Sequence, residues 1–161
     1  MSVRRKIAVL GGGGALAMSV TLLAHLEGER VNAYFDPVGI PTICYGETEN
    51  VEISDKATHE QCVSQLRQRA NEMLVEVYKD VGHVPDATAA ALVSFCYNVG
   101  PGNCQRSESF RLIREGEREQ GCNALMNWQR AGNKVHLLRG RREEERKLCL
   151  QGFNDAGLLS E

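Results

Sequence analysis

Glu27, Asp36 and Thr42 stand nine and then six positions apart in the run HLEGERVNAYFDPVGIPTICYGET, which begins at His25. Two carboxylates separated by a turn-rich piece suit the cleavage of a glycosidic bond. One carboxyl donates a proton to the leaving oxygen while the other positions or activates water. Glu27 follows apolar Leu26, and partial burial there would favour its protonated form. Asp36, in a polar turn, would stay ionised, and the Thr42 hydroxyl could hold the attacking water. On spacing alone, a surface acid and a turn-forming aspartate account for these residues nearly as well.

The candidate acid lies at the end of an unusual segment. Arg4, Arg5 and Lys6 precede twenty residues, Ile7 to Leu26, that carry no formal charge. As a helix these would span about 30 Å, enough to cross a bilayer core, and the basic flank would keep the N-terminus in the cytoplasm. The segment is only weakly apolar: ten of its twenty residues are Gly, Ala, Ser or Thr, including Gly11–Gly14. It reads as a permanent anchor, as a signal peptide cut after Ala17, or as a segment that starts in the membrane and later leaves it. Leu16, Val20, Leu23 and Glu27 share one helical stripe. The residues that face lipid in one state are therefore expected to pack on a protein core in another, with Glu27 aimed into a cleft.

Beyond Glu27, Arg30 to Thr48 carries short β-prone pieces broken by Pro and Gly, the pattern of an antiparallel hairpin or meander. Cys62, Leu66, Ala70, Met73, Leu74 and Val77 predict a helix over about 57–79, with Ser54 or Asp55 as its cap. Pro85-Asp86 opens a densely apolar helix ending near Gly100, and Pro101-Gly102 predicts a turn. Short helices are expected over 107–114, 117–128 and 141–150, and the tail after Gly152 is expected to fray. The fold class is α+β, mostly α: a small antiparallel β lobe beside a larger helical lobe, bridged by a long helix.

Nineteen basic and twenty-one acidic side chains leave a net charge of −2, which argues against a nucleic-acid partner. The acidic stretch Glu27–Glu60 and the basic stretch Arg130–Arg142 read as solvated surface. No C-x-x-C pair occurs, so zinc and thioredoxin-like readings are poor. The six cysteines admit 15 pairings, and an even set behind an export signal points to disulfides in an oxidising compartment. The expected pairs are Cys44–Cys62, Cys96–Cys104 and Cys122–Cys149, each closing a local loop, with buried free thiols as the alternative. No cofactor and no metal are expected.

EGERVNAYFDPVGIPTICYG resembles the E-G-x-R-x-x-A-Y-x-D-x-x-G-x-x-T-I-G-Y-G signature of phage-type lysozymes, glycoside hydrolase family 24. The resemblance continues through ALVSFCYNVGPGNC, NWQRAG and RREEERKLC, so it covers roughly Glu27 to Gly152. It implies a lysozyme-like fold and hydrolysis of the β-1,4 bond between N-acetylmuramic acid and N-acetylglucosamine in peptidoglycan. By the same resemblance Glu27 is the general acid, Asp36 the carboxylate that activates water and Thr42 its helper. Inversion without a covalent sugar intermediate is expected. Arg141 is similar to a family arginine lying behind the catalytic glutamate, although a generic surface role would also explain it. Cys44 departs from the signature, which has glycine there; Asn133 and Leu137 also stand where glycine is usual.

The N-terminal segment is similar to those of signal-anchor-release endolysins of lambdoid phages. That likeness implies export by the Sec translocon without cleavage and tethering to the host inner membrane facing the periplasm. Release as a soluble periplasmic enzyme would follow when a holin or pinholin collapses the membrane potential. The expected organisation is an anchor over 1–26, a catalytic domain over 27–152 and a flexible tail over 153–161. The anchor contains no cysteine, so activation by refolding alone is expected, without disulfide exchange. A catalytically inert wall-binding relative and an ordinary secreted lysozyme with a cleaved signal peptide are the competing readings.

Overall fold

The computed structural model describes residues 14–159. The basic flank Arg4–Lys6 and the first part of the expected anchor, through residue 13, lie outside the described residues. No described helix is long and apolar enough to cross a membrane. In chain order the elements are α1 (Ala15–Glu27), β1 (Arg30–Phe35), β2 (Pro41–Cys44), α2 (His59–Val81), α3 (Asp86–Val99), α4 (Pro101–Gln105), α5 (Glu108–Arg114), α6 (Arg118–Ala124) and α7 (Arg139–Asp155), with a 3₁₀ turn at Leu125–Asn127. A two-stranded antiparallel β lobe stands beside a larger helical lobe, as the alternation of turn signals and helical stripes predicts.

α3 is the centre of the helical lobe. Every residue from Thr88 to Cys96 is buried, and the helix packs against α1, α2 and α7. A helix buried on all sides belongs in the middle of a lobe. Where α3 meets α7 the approach is close, because a Cβ on Gly152 would lie 2.3 Å from Thr88 Oγ1 and 2.6 Å from its backbone nitrogen.

α1 lies packed on this core. Its buried residues are Ala15, Ser19, Leu22 and Leu23, a face centred one position away from the expected stripe. Leu23 belongs to both faces, whereas Leu16 and Val20 are only partly buried at its edge. The difference comes from Ser19, a polar residue that apolar periodicity passes over. Its hydroxyl donates to Ala15 O at 2.7 Å, so it is buried with its donor satisfied. Leu22 and Leu23 are fully buried, each worth about 1.5–3 kcal/mol. Gly28 ends the helix with φ 71, a conformation that favours glycine.

α2 starts later than expected, and its cap is neither Ser54 nor Asp55. The Thr58 hydroxyl accepts from Gln61 N while the Gln61 side chain accepts from Thr58 N, a reciprocal capping box. Pro101 opens a one-turn helix at its first position instead of a plain turn, as its fixed φ allows. The last helix starts at Arg139 and continues through Asp155, past the point where fraying was expected. Phe153 is the reason: it is buried at 2 % exposure, and Leu158 N donates back to Phe153 O at 2.9 Å.

Three disulfides join Cys44 to Cys62, Cys96 to Cys104 and Cys122 to Cys149, with sequence separations of 18, 8 and 27. These are the three local pairs expected, and they tie β2 to α2, α3 to α4 and α6 to α7.

Candidate active site

Glu27 is the last residue of α1, and its side chain is 20 % exposed. Arg141, in the first turn of α7, donates through Nη1 to Glu27 Oε1 at 2.7 Å. The other two edges of this guanidinium are also held. Nε donates to Glu145 Oε1 at 3.0 Å, and Nη2 donates to Ser94 O at 3.0 Å. Arg141 is 10 % exposed, which removes the surface role that the sequence left open for it. A planar fork with donors on three edges suits such a setting, and a lysine could not fill it.

Behind Arg141 lies a polar network that the sequence reading missed. Glu145 and Arg142 are both 0 % exposed. Glu145 Oε1 also accepts from Ser94 Oγ at 2.7 Å, and Oε2 accepts from Arg142 Nη1. Arg142 donates further to Trp128 O at 2.8 Å and to Asn98 Oδ1, and its guanidinium lies 5.1 Å from the centre of the Phe95 ring. Burial holds the Arg142 guanidinium below its usual range, against the opposing pull of Glu145. One signal was available: Arg141 and Glu145 are four apart on one helix. In a run as polar as RREEERK, that spacing is indistinguishable from an exposed pair.

Asp36 and Thr42 are brought together by the hairpin. Tyr34 pairs with Thr42 and Phe35 with Pro41 across the strands. The carbonyl of Ile40 accepts from Asp36 N at 3.0 Å and from Thr42 Oγ1 at 2.9 Å, so one oxygen ties both residues. Asp36 Oδ1 accepts from Val38 N at 2.9 Å and Ile40 N at 2.8 Å. The turn-forming role of this aspartate is therefore present in full. Its Oδ2 accepts no hydrogen bond from the described residues, and the Thr42 hydroxyl, having given its proton to Ile40, keeps lone pairs for an acceptor role.

The hairpin is fastened to the helical lobe at several points. Tyr97 on α3 donates to Tyr45 O at 2.8 Å. Burial first, then the charges of Glu27 and Glu47, push the Tyr97 hydroxyl up to about 12, so it stays a donor. Arg69 on α2 donates through Nε to Glu47 Oε2 at 3.0 Å. His59 Nδ1 and Glu29 Oε1 are 2.8 Å apart.

The departures from the signature have local explanations. Cys44 has φ 58, in the left-handed region where glycine costs nothing; here its disulfide to Cys62 holds it. Asn133 and Leu137 lie in the loop between Trp128 and α7, closed by mutual backbone bonds of 3.1 Å between Ala131 and Lys134. Gly132 takes the positive φ of that turn, and neither Asn133 nor Leu137 does.

The Phage lysozyme family model matches residues 24–145. The SAR-endolysin of Pseudomonas phage phiKMV is 40% identical over 147 residues, covering 86% of this chain and 90% of that protein. The SAR-endolysin of Bacteriophage PS119 is 35% identical over 164 residues, covering 94% and 96%. Among solved structures, the endolysin from Escherichia coli O157:H7 phage FAHEc1 superposes with a TM-score of 0.75 at 28% identity, covering 82% of this chain and 90% of that one. With matches that span both the hairpin and the Arg141 helix, the chain belongs to the phage lysozyme family, as a lysozyme-type glycoside hydrolase related to the SAR-endolysins.

Proposed function

We propose that this chain is a peptidoglycan muramidase in which Glu27 donates the proton to the leaving oxygen of the β-1,4 bond. Asp36 and Thr42 hold the attacking water: it donates one proton toward Asp36 Oδ2 and the other to the Thr42 hydroxyl oxygen, leaving a lone pair for the anomeric carbon. Asp36 takes the proton as the C–O bond forms, and the product is inverted. The observation that carries this reading is the placement of Glu27, a carboxyl at a helix end gripped by Arg141 at 2.7 Å, beside a hairpin that links Asp36 to Thr42 through one carbonyl. Purified sacculi test it. New reducing muramic ends that vanish in Glu27→Gln support the hydrolase. Anhydro ends would mean a transglycosylase, and no cleavage by the folded protein would mean an inert wall binder.

The same reading extends to regulation. Glu27 closes the helix that the anchor becomes once it leaves the membrane. While residues 7–26 lie in lipid, Leu22 and Leu23 are absent from the core and Glu27 is absent from Arg141. Sec export delivers this tethered, inactive form to the periplasmic face of the inner membrane, and loss of the membrane potential through a holin or pinholin frees it. A cut after Ala17 would instead remove Ala15 from its buried place on the core. Replacing Gly11–Gly14 by leucines is expected to retain the protein in the membrane fraction and delay lysis. Unchanged fractionation and timing would sink the release model.

A further inference from the structure

We infer that Glu145, with Ser94, is the positioning residue of this site: it sets the orientation of Arg141 and, through it, the carboxyl of Glu27. The inference rests on the reading of Glu27 as the acid.

Arg141 has three polar edges, and two of them are committed away from Glu27. Glu145 Oε1 takes Nε at 3.0 Å, and Ser94 takes Nη2 through its carbonyl at 3.0 Å and its hydroxyl oxygen at 3.3 Å. A planar guanidinium fixed on two edges has no rotation left, so Nη1 points where the first two bonds put it. Glu27 is found there. Ser94 Oγ in turn donates to Glu145 Oε1 at 2.7 Å, which makes the bracket a closed triangle of Ser94, Glu145 and Arg141.

Charge supports the same assignment. The buried cluster holds two cations, Arg141 and Arg142, and Glu145 touches both. With Glu145 ionised, one cation is balanced inside the cluster and the other is left to Glu27. Without that carboxylate, both guanidinium charges act on Glu27 at low effective dielectric. Outside the cluster, Tyr97 on α3 senses the charge of Glu27 and also those of Glu47 and Arg69, and His25 on α1 lies 3.6 Å from Glu144 on α7. None of these contacts the Nε edge of Arg141. A purely structural role for Glu145 would make it one more buried bond between α3 and α7, like the Thr88 hydroxyl donating to Cys149 O at 2.9 Å.

The test compares full-length released protein with Glu145→Gln, Ser94→Ala and, as a control in the same helix interface, Thr88→Val. Glu145→Gln is expected to lower kcat on sacculi about 10²-fold, the cost of a small misplacement of a reacting group, with KM little changed. Ser94→Ala, which keeps the carbonyl contact and changes no charge, is expected to lower kcat about 10-fold with KM little changed; it carries the test if Glu145→Gln fails to fold. Thr88→Val is expected to lower the melting temperature and leave kcat and KM alone. Wild-type kcat in Ser94→Ala and in any folded Glu145→Gln, with only their melting temperatures lowered, overturns the inference. Glu27→Gln run alongside separates the two levels: if it alone is dead, only the positioning role has failed. If it is active, the reading of the site has failed.

Discussion

Arg141 donates to the Glu27 carboxylate at 2.7 Å across 114 residues of chain, joining the last residue of the first described helix to the first turn of the last one. Neither element can place this pair alone. α1 must dock on α3 to place Glu27, and α7 must cross α3 closely to bring Arg141 to it. The contact is therefore a report on whether the whole helical lobe has assembled.

Arg141→Lys keeps the charge but not the three-edged fork. Turnover of sacculi is expected to fall about 10²-fold, while the folded protein persists. Wild-type turnover would show that charge alone suffices.

The two roles of Asp36 separate by substitution. Asp36→Asn keeps a carbonyl oxygen that accepts from Val38 N and Ile40 N, so thermal stability should be nearly unchanged while activity on sacculi is lost. Asp36→Ala also removes both loop bonds, each worth about 1 kcal/mol net, and should melt lower as well as being inactive. Full activity in Asp36→Asn would reduce this residue to its turn-forming role.

The Cys44–Cys62 bridge closes a loop with a separation of 18, worth roughly 3 kcal/mol by loop entropy. Its removal with Cys62→Ala should cost less when Cys44 becomes Gly than when it becomes Ala, by about 1 kcal/mol, because φ 58 strains any Cβ-bearing residue. Denaturant midpoints of the two double variants check this. Equal midpoints would mean that the backbone relaxes once the bridge is gone.

Gly152→Ala should destabilise by about 1–3 kcal/mol, since the new Cβ would press within 2.6 Å of the Thr88 backbone nitrogen and neither helix has room to give. Pushing α7 outward would also carry Arg141 from Glu27, so activity measured well below the melting temperature should fall too. A melting temperature equal to wild type would show that the helices separate freely.

Stability should decline at both ends of the pH scale for different reasons. Tyr97 is pushed from 10.0 up to about 12 on folding, so the folded state keeps its proton longer. That contribution is whole below pH 10 and is lost as pH rises from about 10 to 12. For Glu47, burial acts upward, but hydrogen bonds from Arg69, Glu49 N and Thr48 N outweigh it and leave the carboxyl below its ordinary 4.5. Its contribution is present above pH 4.5 and is lost on acidification below that. Urea midpoints across pH should show a shallower alkaline decline in Tyr97→Phe and a shallower acid decline in Glu47→Gln.

Much of this protein is decided locally and could be read from its chain. The hairpin follows from Pro, Gly and Asp at turn positions, α2 from its apolar stripe and α3 from its density of apolar residues. The disulfides pair cysteines close in sequence, and Glu27, Asp36 and Thr42 lie within one short signature. What remained hidden depends on which helical face meets a neighbour. Ser19 is buried because it satisfies its own hydroxyl, and Phe153 extends the last helix because the core reaches it there. Arg142 and Glu145 belong to a helix so polar that nothing in its composition marks an inner face. Their burial is acceptable because their charges pair with each other and with Arg141, while Ser94, Asn98 and the Trp128 carbonyl, all distant in sequence, take the remaining hydrogen bonds. Local chemistry chose the reacting groups; long-range packing decided what holds them in place.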